Sequence, residues 1–228
     1  LLALPLSATA ADAVERRVLR AIELPAPSNG KLFEIAAGRE IWIVDDGTEL
    51  ASALRDKLKS RGMSARVVAA KVDTKGNGIA RIGGLIILAP PARSNGRLWD
   101  AASERRLRAA FGLTKRIGSI LRDAASEGGA IFATVSRMDG AFGLVGGAFD
   151  PVQGGLAGLT KTVAREWPDV KCTAIDVDGT WSDANAVADA IVRELGTDGP
   201  IEVGLGPRRV QRRSLTQGLL RLRIVRAR

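Results

Sequence analysis

The side chains of this sequence that could move a proton or attack a carbon are few: Ser136, Asp139, Asp150, Lys161, Asp176 and a single cysteine, Cys172. No histidine and no tyrosine occurs in the 228 residues. Histidine is the commonest general base and tyrosine one of the few other proton shuttles, so the two usual routes to acid–base catalysis are closed. A lone cysteine without histidine has no Cys–His chemistry and no intramolecular disulfide. Cys172 stands in the apolar stretch VKCTAIDVD and reads as a small buried hydrophobe, in keeping with a reducing, cytoplasmic setting. No recognisable motif places any of the other candidates, and none is expected to hold a metal.

The elements that must position these groups follow from the apolar pattern. After the breaker cluster Pro25, Pro27, Ser28, Asn29 and Gly30, the run Ile41 to Val44 predicts a buried strand. ASALRDKLKSRG predicts an amphipathic helix stopped by Gly62. Strands are expected over Ala65 to Ala70, Leu85 to Leu88, Ala130 to Val135, Cys172 to Val177 and Ile201 to Leu205. Helices are expected over Leu98 to Ala125, Gly154 to Trp167 and Asp183 to Leu195. Apolar strands separated by helical lengths imply an α/β fold: a doubly wound, mostly parallel, Rossmann-like sheet. The short Gly- and Lys-rich interval between Ala70 and Leu85 leaves no room for helix, strand and helix, so the first half is abbreviated.

This places the domain at 31–206, preceded by an N-terminal segment, 1–30, with a short helix from Ala11 to Ile22, and followed by an Arg-rich tail, 207–228. LLALPLSATAADA reads as a tether rather than a signal peptide, having a very short apolar run and no basic region before it. The formal charge of +9 is deceptive, because eight arginines and no acid fall in 207–228 and the body is nearly neutral. Such a terminus could bind phosphates or nucleic acid non-specifically. The bland reading is a solvated tail, since the charge is terminal and aromatic residues make up only 4%. No apolar run approaches the roughly 18 residues of a membrane span.

The segment GLAGLTKTVAREWPDVKCTAIDVDG, above all GLTKTVARE, resembles the helix and strand that follow the active-site motif of short-chain dehydrogenases/reductases. In that register the family's catalytic serine falls on Ser136, its tyrosine on Phe149 and its lysine on Gln153. The resemblance implies that the tyrosine would exchange a proton with the substrate oxygen and the lysine would lower its pKa and hold the nicotinamide ribose. Phe149 has no ionisable oxygen and Gln153 no charge. Counted back from Gly62, the family's three phosphate-loop glycines fall on Asp45, Glu49 and Ala51, and Asp46 adds a further acid beside the helix N-terminus. Carboxylates there suit the helix dipole but repel a pyrophosphate. The family's N-A-G strand end is replaced by APPA, Ala89 to Ala92.

Within the superfamily, GREIWIVDDG, GLIILAPPA and IEVGLG, with the segment 128–178, resemble the ketoreductase region of polyketide and polyunsaturated fatty acid synthases. That resemblance covers about 31–206. It implies a truncated structural subdomain without cofactor, beside a separate catalytic half that binds NADPH and reduces a 3-oxoacyl chain on acyl carrier protein. The expected role is therefore non-catalytic, with the catalytic half and other synthase domains as partners and NADP(H) held by that half. Leu1 to Leu6, Trp42 and Trp99 are candidates for the contact face. The alternative is a divergent but active NADPH-dependent oxidoreductase, whose proton donor would be one of the five candidates named first.

Overall fold

The computed structural model describes residues 16–25, 33–69, 81–91, 101–147, 149–207 and 211–220. Six strands run parallel: β2 (Glu40–Val44), β3 (Ala65–Val68), β4 (Ile82–Leu88), β5 (Ile131–Ser136), β6 (Lys171–Val177) and β7 (Glu202–Gly206). Two further strands, β1 (Arg16–Leu24) and β8 (Gln211–Leu220), extend the sheet antiparallel beyond β7, giving the order β1-β8-β7-β6-β5-β4-β2-β3. The α/β fold with a mostly parallel, Rossmann-like sheet is as expected. The first half is abbreviated: β3 forms the sheet edge, with no described strand beyond it.

Among the described residues four helices cover the two faces. On one side α1 (Glu49–Ser60) and α4 (Ala184–Leu195) pack Leu50, Leu54, Leu58, Val187 and Ile191 against Ile41, Ile43, Ile86 and Ile175. On the other, α2 (Ala101–Ser126) and α3 (Gly154–Glu166) pack Leu113, Ile117, Leu121, Leu156 and Val163 against Trp42, Leu85 and Phe132. Because both sheet faces are covered, β4 and β5 are buried at every residue, which accounts for the apolar run of β4 and the mostly apolar one of β5, whose buried Thr134 and Ser136 hydroxyls are hydrogen-bonded. Helix ends carry local signals. Thr48 caps α1 by accepting from Leu50 N, and Asp183 caps α4 by accepting from Asn185 N and Ala186 N.

Both ends of the chain depart from expectation. Ala11 to Ile22 was expected to be helical, but within the described residues Arg16–Leu24 is strand, and residues 11–15 lie outside them. The tail at 207–228 is likewise not simply solvated: Gln211–Leu220 is β8, paired along its length with β1 and over Gln211 to Arg213 with β7. The reason is non-local. A ladder formed with a partner at the far end of the sequence decides the conformation of a segment whose local spacing also fits a helix. The boundaries 31 and 206 therefore do not delimit the sheet. Trp42 is no contact residue: it is 2% exposed, donates to the Glu40 carboxylate at 2.8 Å and lies under the Arg66 guanidinium. Leu1 to Leu6 and Trp99 lie outside the described residues.

Gly118 in α2 meets the indole of Trp167: a Cβ there would stand 2.5 Å from Cζ2. Trp167 is held edge-on to Phe132, with ring centroids 6.2 Å apart. Replacing a helical glycine by alanine ordinarily stabilises by about 1 kcal/mol, whereas overpacking a core costs roughly 1–3 kcal/mol. Gly118→Ala is expected to lower the melting temperature, because the buried Trp167 ring must shift from its contact with Phe132 to make room. Thermal denaturation followed by circular dichroism measures it; an increase would show that this contact is loose.

Candidate functional site

In doubly wound sheets ligands bind beyond the carboxyl ends of the strands, at the switch point where successive connections leave to opposite sides. Here that point lies between β2 and β4. It holds a cavity of about 90 Å³ lined chiefly by Val44, Ile87, Ala89, Leu113, Val152 and Leu156. Cofactor and drug-sized sites occupy roughly 300–1,000 Å³, so this space is small by comparison, and Asp45, Ser103, Arg106 and Gln153 add polar groups to its wall.

The β2–α1 turn uses its own carboxylates. Asp45 accepts from Gly47 N at 2.8 Å, and Asp46 accepts from Thr48 N and Oγ1 at 3.0 and 2.9 Å. Glu49 is exposed in the first helical turn, and Ala51 is buried in the core. Three amides of this helix start, Gly47 N, Thr48 N and Leu50 N, thus already have acceptors, and the Ala51 Cβ occupies space that a glycine would leave open.

The β5 end is organised by Asp176, which is fully buried at the end of β6. Its Oδ1 accepts from Ser136 Oγ at 2.7 Å and Met138 N at 3.0 Å, and its Oδ2 from Ala141 N at 3.1 Å and Phe142 N at 2.9 Å. Burial pushes this carboxyl above its ordinary value; Ser136 and the backbone donors pull it back only in part, and the charge of Asp139 adds to the rise. Asp139 gathers Ala141 N, Gly143 N, Val145 N and Gly146 N at 2.7–3.1 Å. Burial raises its carboxyl too, but those four donors outweigh burial and hold it below the ordinary value.

Gln153, in the 3-10 turn Pro151–Gln153 before α3, spends both ends of its amide on backbone. Its Oε1 accepts from Arg137 N at 2.7 Å and its Nε2 donates to Pro90 O at 2.9 Å, tying the ends of β5 and β4 together. Phe149 is half-buried, with its ring against Gly143, where a Cβ would come within 2.9 Å. Ser136 and Asp176 are thus brought together, and Gln153 binds the residue after Ser136. Asp150 only caps the 3-10 turn through Val152 N, and Lys161 pairs at 2.8 Å with Glu202. Cys172, expected to be buried, is half-buried and donates its thiol to Val170 O; burial pushes that thiol up to about 12, which keeps it from acting as a thiolate. Among the described residues no cluster of His, Cys, Asp and Glu could hold a metal.

One participant escapes sequence reasoning. Arg137 is 6% exposed, donates to Trp181 O at 2.8 Å and leaves its Nε without a partner. Burial lowers its pKa, opposed by Asp46, Asp176 and Asp178. The only signal was an arginine following an apolar strand, with acids nearby at Asp139, Asp176 and Asp178.

No family model matches the sequence, and no curated protein matches it. Solved structures match over most of its length. The chain is 18% identical, with a TM-score of 0.61, to an adenylation, ketoreductase and pseudo-Asub multidomain structure of a keto acid-selecting NRPS module; the match covers 89% of this chain and 18% of that one. It is 19% identical, with a TM-score of 0.59, to an A-type ketoreductase from a modular polyketide synthase, covering 92% of this chain and 43% of that one. An N-terminal ketoreductase from the macrolactin assembly line matches at 13% identity and TM-score 0.55, covering 92% and 45%. The fold of the chain resembles that of these ketoreductase structures, and the chain spans less than half the length of the ketoreductases it matches. No described helix is long and apolar enough to cross a membrane.

Asp176→Asn sets an amide N–H₂ against backbone donors and should cost roughly 3 kcal/mol, since a buried donor pair is left unsatisfied. The pH dependence follows from the raised carboxyl. Between the ordinary carboxylate value and that raised value, the folded state binds more protons than the unfolded one, so Asp176 adds stability as pH falls through this window. Denaturant unfolding of wild type and variant from pH 7 downward should therefore show the wild type gaining on Asp176→Asn; a constant gap would mean that Asp176 titrates alike folded and unfolded.

Proposed function

We propose that the chain is a non-catalytic, ketoreductase-type structural subdomain. On this reading it supports NADPH-dependent 3-oxoacyl-carrier-protein reduction by a catalytic half, within a cytoplasmic multidomain synthase making polyketides or fatty acids. Gln153 carries the proposal. Where the family has the lysine that holds the nicotinamide ribose, this chain has a neutral amide whose oxygen and nitrogen are both bonded to strand-end backbone. Phe149 offers no proton, and the turn between β2 and α1 presents Asp45 and Asp46 where a pyrophosphate would lie. We read the chain as a pseudoenzyme that binds no cofactor.

The partner reading is supported by size and shape. The ketoreductases it resembles are more than twice as long as the matched region. The β1–β8 ribbon continues past the last β7 pairing, with Leu19 and Ile22 exposed at 51% and 45%. We assign this ribbon to contact with the catalytic half. Apolar side chains on a two-stranded extension are otherwise left in water, and such a ribbon alone is marginally stable.

Calorimetric titration of the full chain with NADPH and NADP⁺ tests the reading. No heat up to millimolar cofactor is expected, whereas micromolar binding would overturn it and favour a divergent, active oxidoreductase. The double substitution Phe149→Tyr/Gln153→Lys should likewise give no NADPH-dependent reduction of a 3-oxoacyl thioester. It should also lower stability by roughly 2 kcal/mol, because Arg137 N loses its buried acceptor.

A further inference from the structure

Helix α2 has the most lopsided surface in the described structure. Arg105, Arg108, Lys115, Arg116 and Arg122 are all exposed, at spacings that place them on one outward arc of the helix. Two acids stand among them: Glu104, which pairs with Arg108 at 2.6 Å, and Asp123. Several cations elsewhere are paired within the fold, although Lys59, Arg81 and Arg165 stand singly. Arg39 meets Glu127, Arg66 meets Glu40, Lys161 meets Glu202, and Arg61 and Arg193 share Asp189. Among the described residues, the α2 cations other than Arg108 make no ion pair. At the margin of this arc Phe111 is 60% exposed, the most exposed of the large apolar side chains on any helix. Gly112 and Ser119 keep the surface between the cations shallow.

We infer that this face of α2 docks an acidic helix of a protein partner, with Phe111 set against an apolar residue of that helix and the cations paired with its carboxylates. Unpaired positive charge on one helix selects an anionic surface and speeds encounter with it. An exposed aromatic ring beside that charge is the kind of anchor that concentrates binding energy at protein interfaces. A nucleic acid fits less well, because single-strand binding needs successive stacking rings and this face has one. A bilayer fits less well, because an interfacial helix sinks an apolar face, whereas that of α2 is buried under the sheet through Leu113, Ile117 and Leu121. The inference rests on α2 alone and stands whether or not the chain serves as a reductase scaffold.

The test uses the full chain and a fluorescent, helix-stapled peptide with glutamates at three- and four-residue spacing around one leucine, followed by anisotropy. Binding is expected, weakening about tenfold or more between low and high salt as screening grows. Phe111→Ser should weaken it about tenfold, and Arg108→Glu/Lys115→Glu/Arg122→Glu should abolish it. Arg165→Glu on α3 should leave it unchanged, and circular dichroism should show every variant folded, since each site is exposed. The inference is overturned if the peptide does not bind or if the triple reversal binds it as wild type does. Stronger binding of single-stranded oligothymidine, or of phosphatidylserine vesicles, through the same residues overturns it in favour of a nucleic acid or a membrane.

Discussion

An ionisable carboxyl in a dry interior is costly unless donors surround it, and the end of this sheet is arranged around one. Asp176 takes hydrogen bonds from the last residue of β5 and from three amides of the loop that follows. The loop cannot swing outward without stripping those donors away. Its path in turn dictates glycine at two places. Gly140, with φ of +68°, brings its carbonyl against Gly204 of β7 so closely that any side chain at 204 would collide with it. Phe142 is the only described non-glycine residue with positive φ, at 56°, and is held there by its bond to Asp176.

The same economy runs along the whole carboxyl edge. Asp45 and Asp46 satisfy the first amides before α1, Asp139 closes the loop after β5, and Gln153 joins the ends of β4 and β5. A polar edge of this kind can be stable either by facing a ligand or by facing itself, because every buried donor needs an acceptor from somewhere. In this chain the acceptors are covalently part of the edge. That makes the edge rigid, with the Arg137 Nε the one buried side-chain donor among the described residues left without a partner.

How much of this was legible in the sequence depends on how local each cause is. Strands β2, β4 and β5 were readable because burial on both faces forces unbroken apolar runs such as Ile41 to Val44. Helix α1 announced itself through its periodicity and the Gly62 stop, and α4 through its helical length between apolar strands. The outer strands were not readable: the spacing in RRVLRAIEL serves a helix as well as a strand, and its ladder partner lies at the opposite end of the chain. Among the site residues, the types at Phe149 and Gln153 were informative without coordinates, since a missing hydroxyl or charge is a fact of composition. What Asp139 and Asp176 do was not, because a carboxylate that anchors amides and one that moves protons look alike until their neighbours are known.

The pairing of β1 with β8 also bears on how the chain reaches this state. Arg16 lies opposite Leu220, so nearly every other described residue belongs to the loop that this contact closes. The entropy of closing a loop grows only slowly with its length, yet the search for distant partners delays such contacts relative to local ones. The parallel strands and their crossover helices can assemble from neighbouring segments, each addition extending a template already in place. The outer ribbon has no such template until β7 is seated, and then only over three residues. It should be the last part of the sheet to form and the first to open, a boundary between a cooperatively folded interior and a margin that exchanges its amide protons sooner.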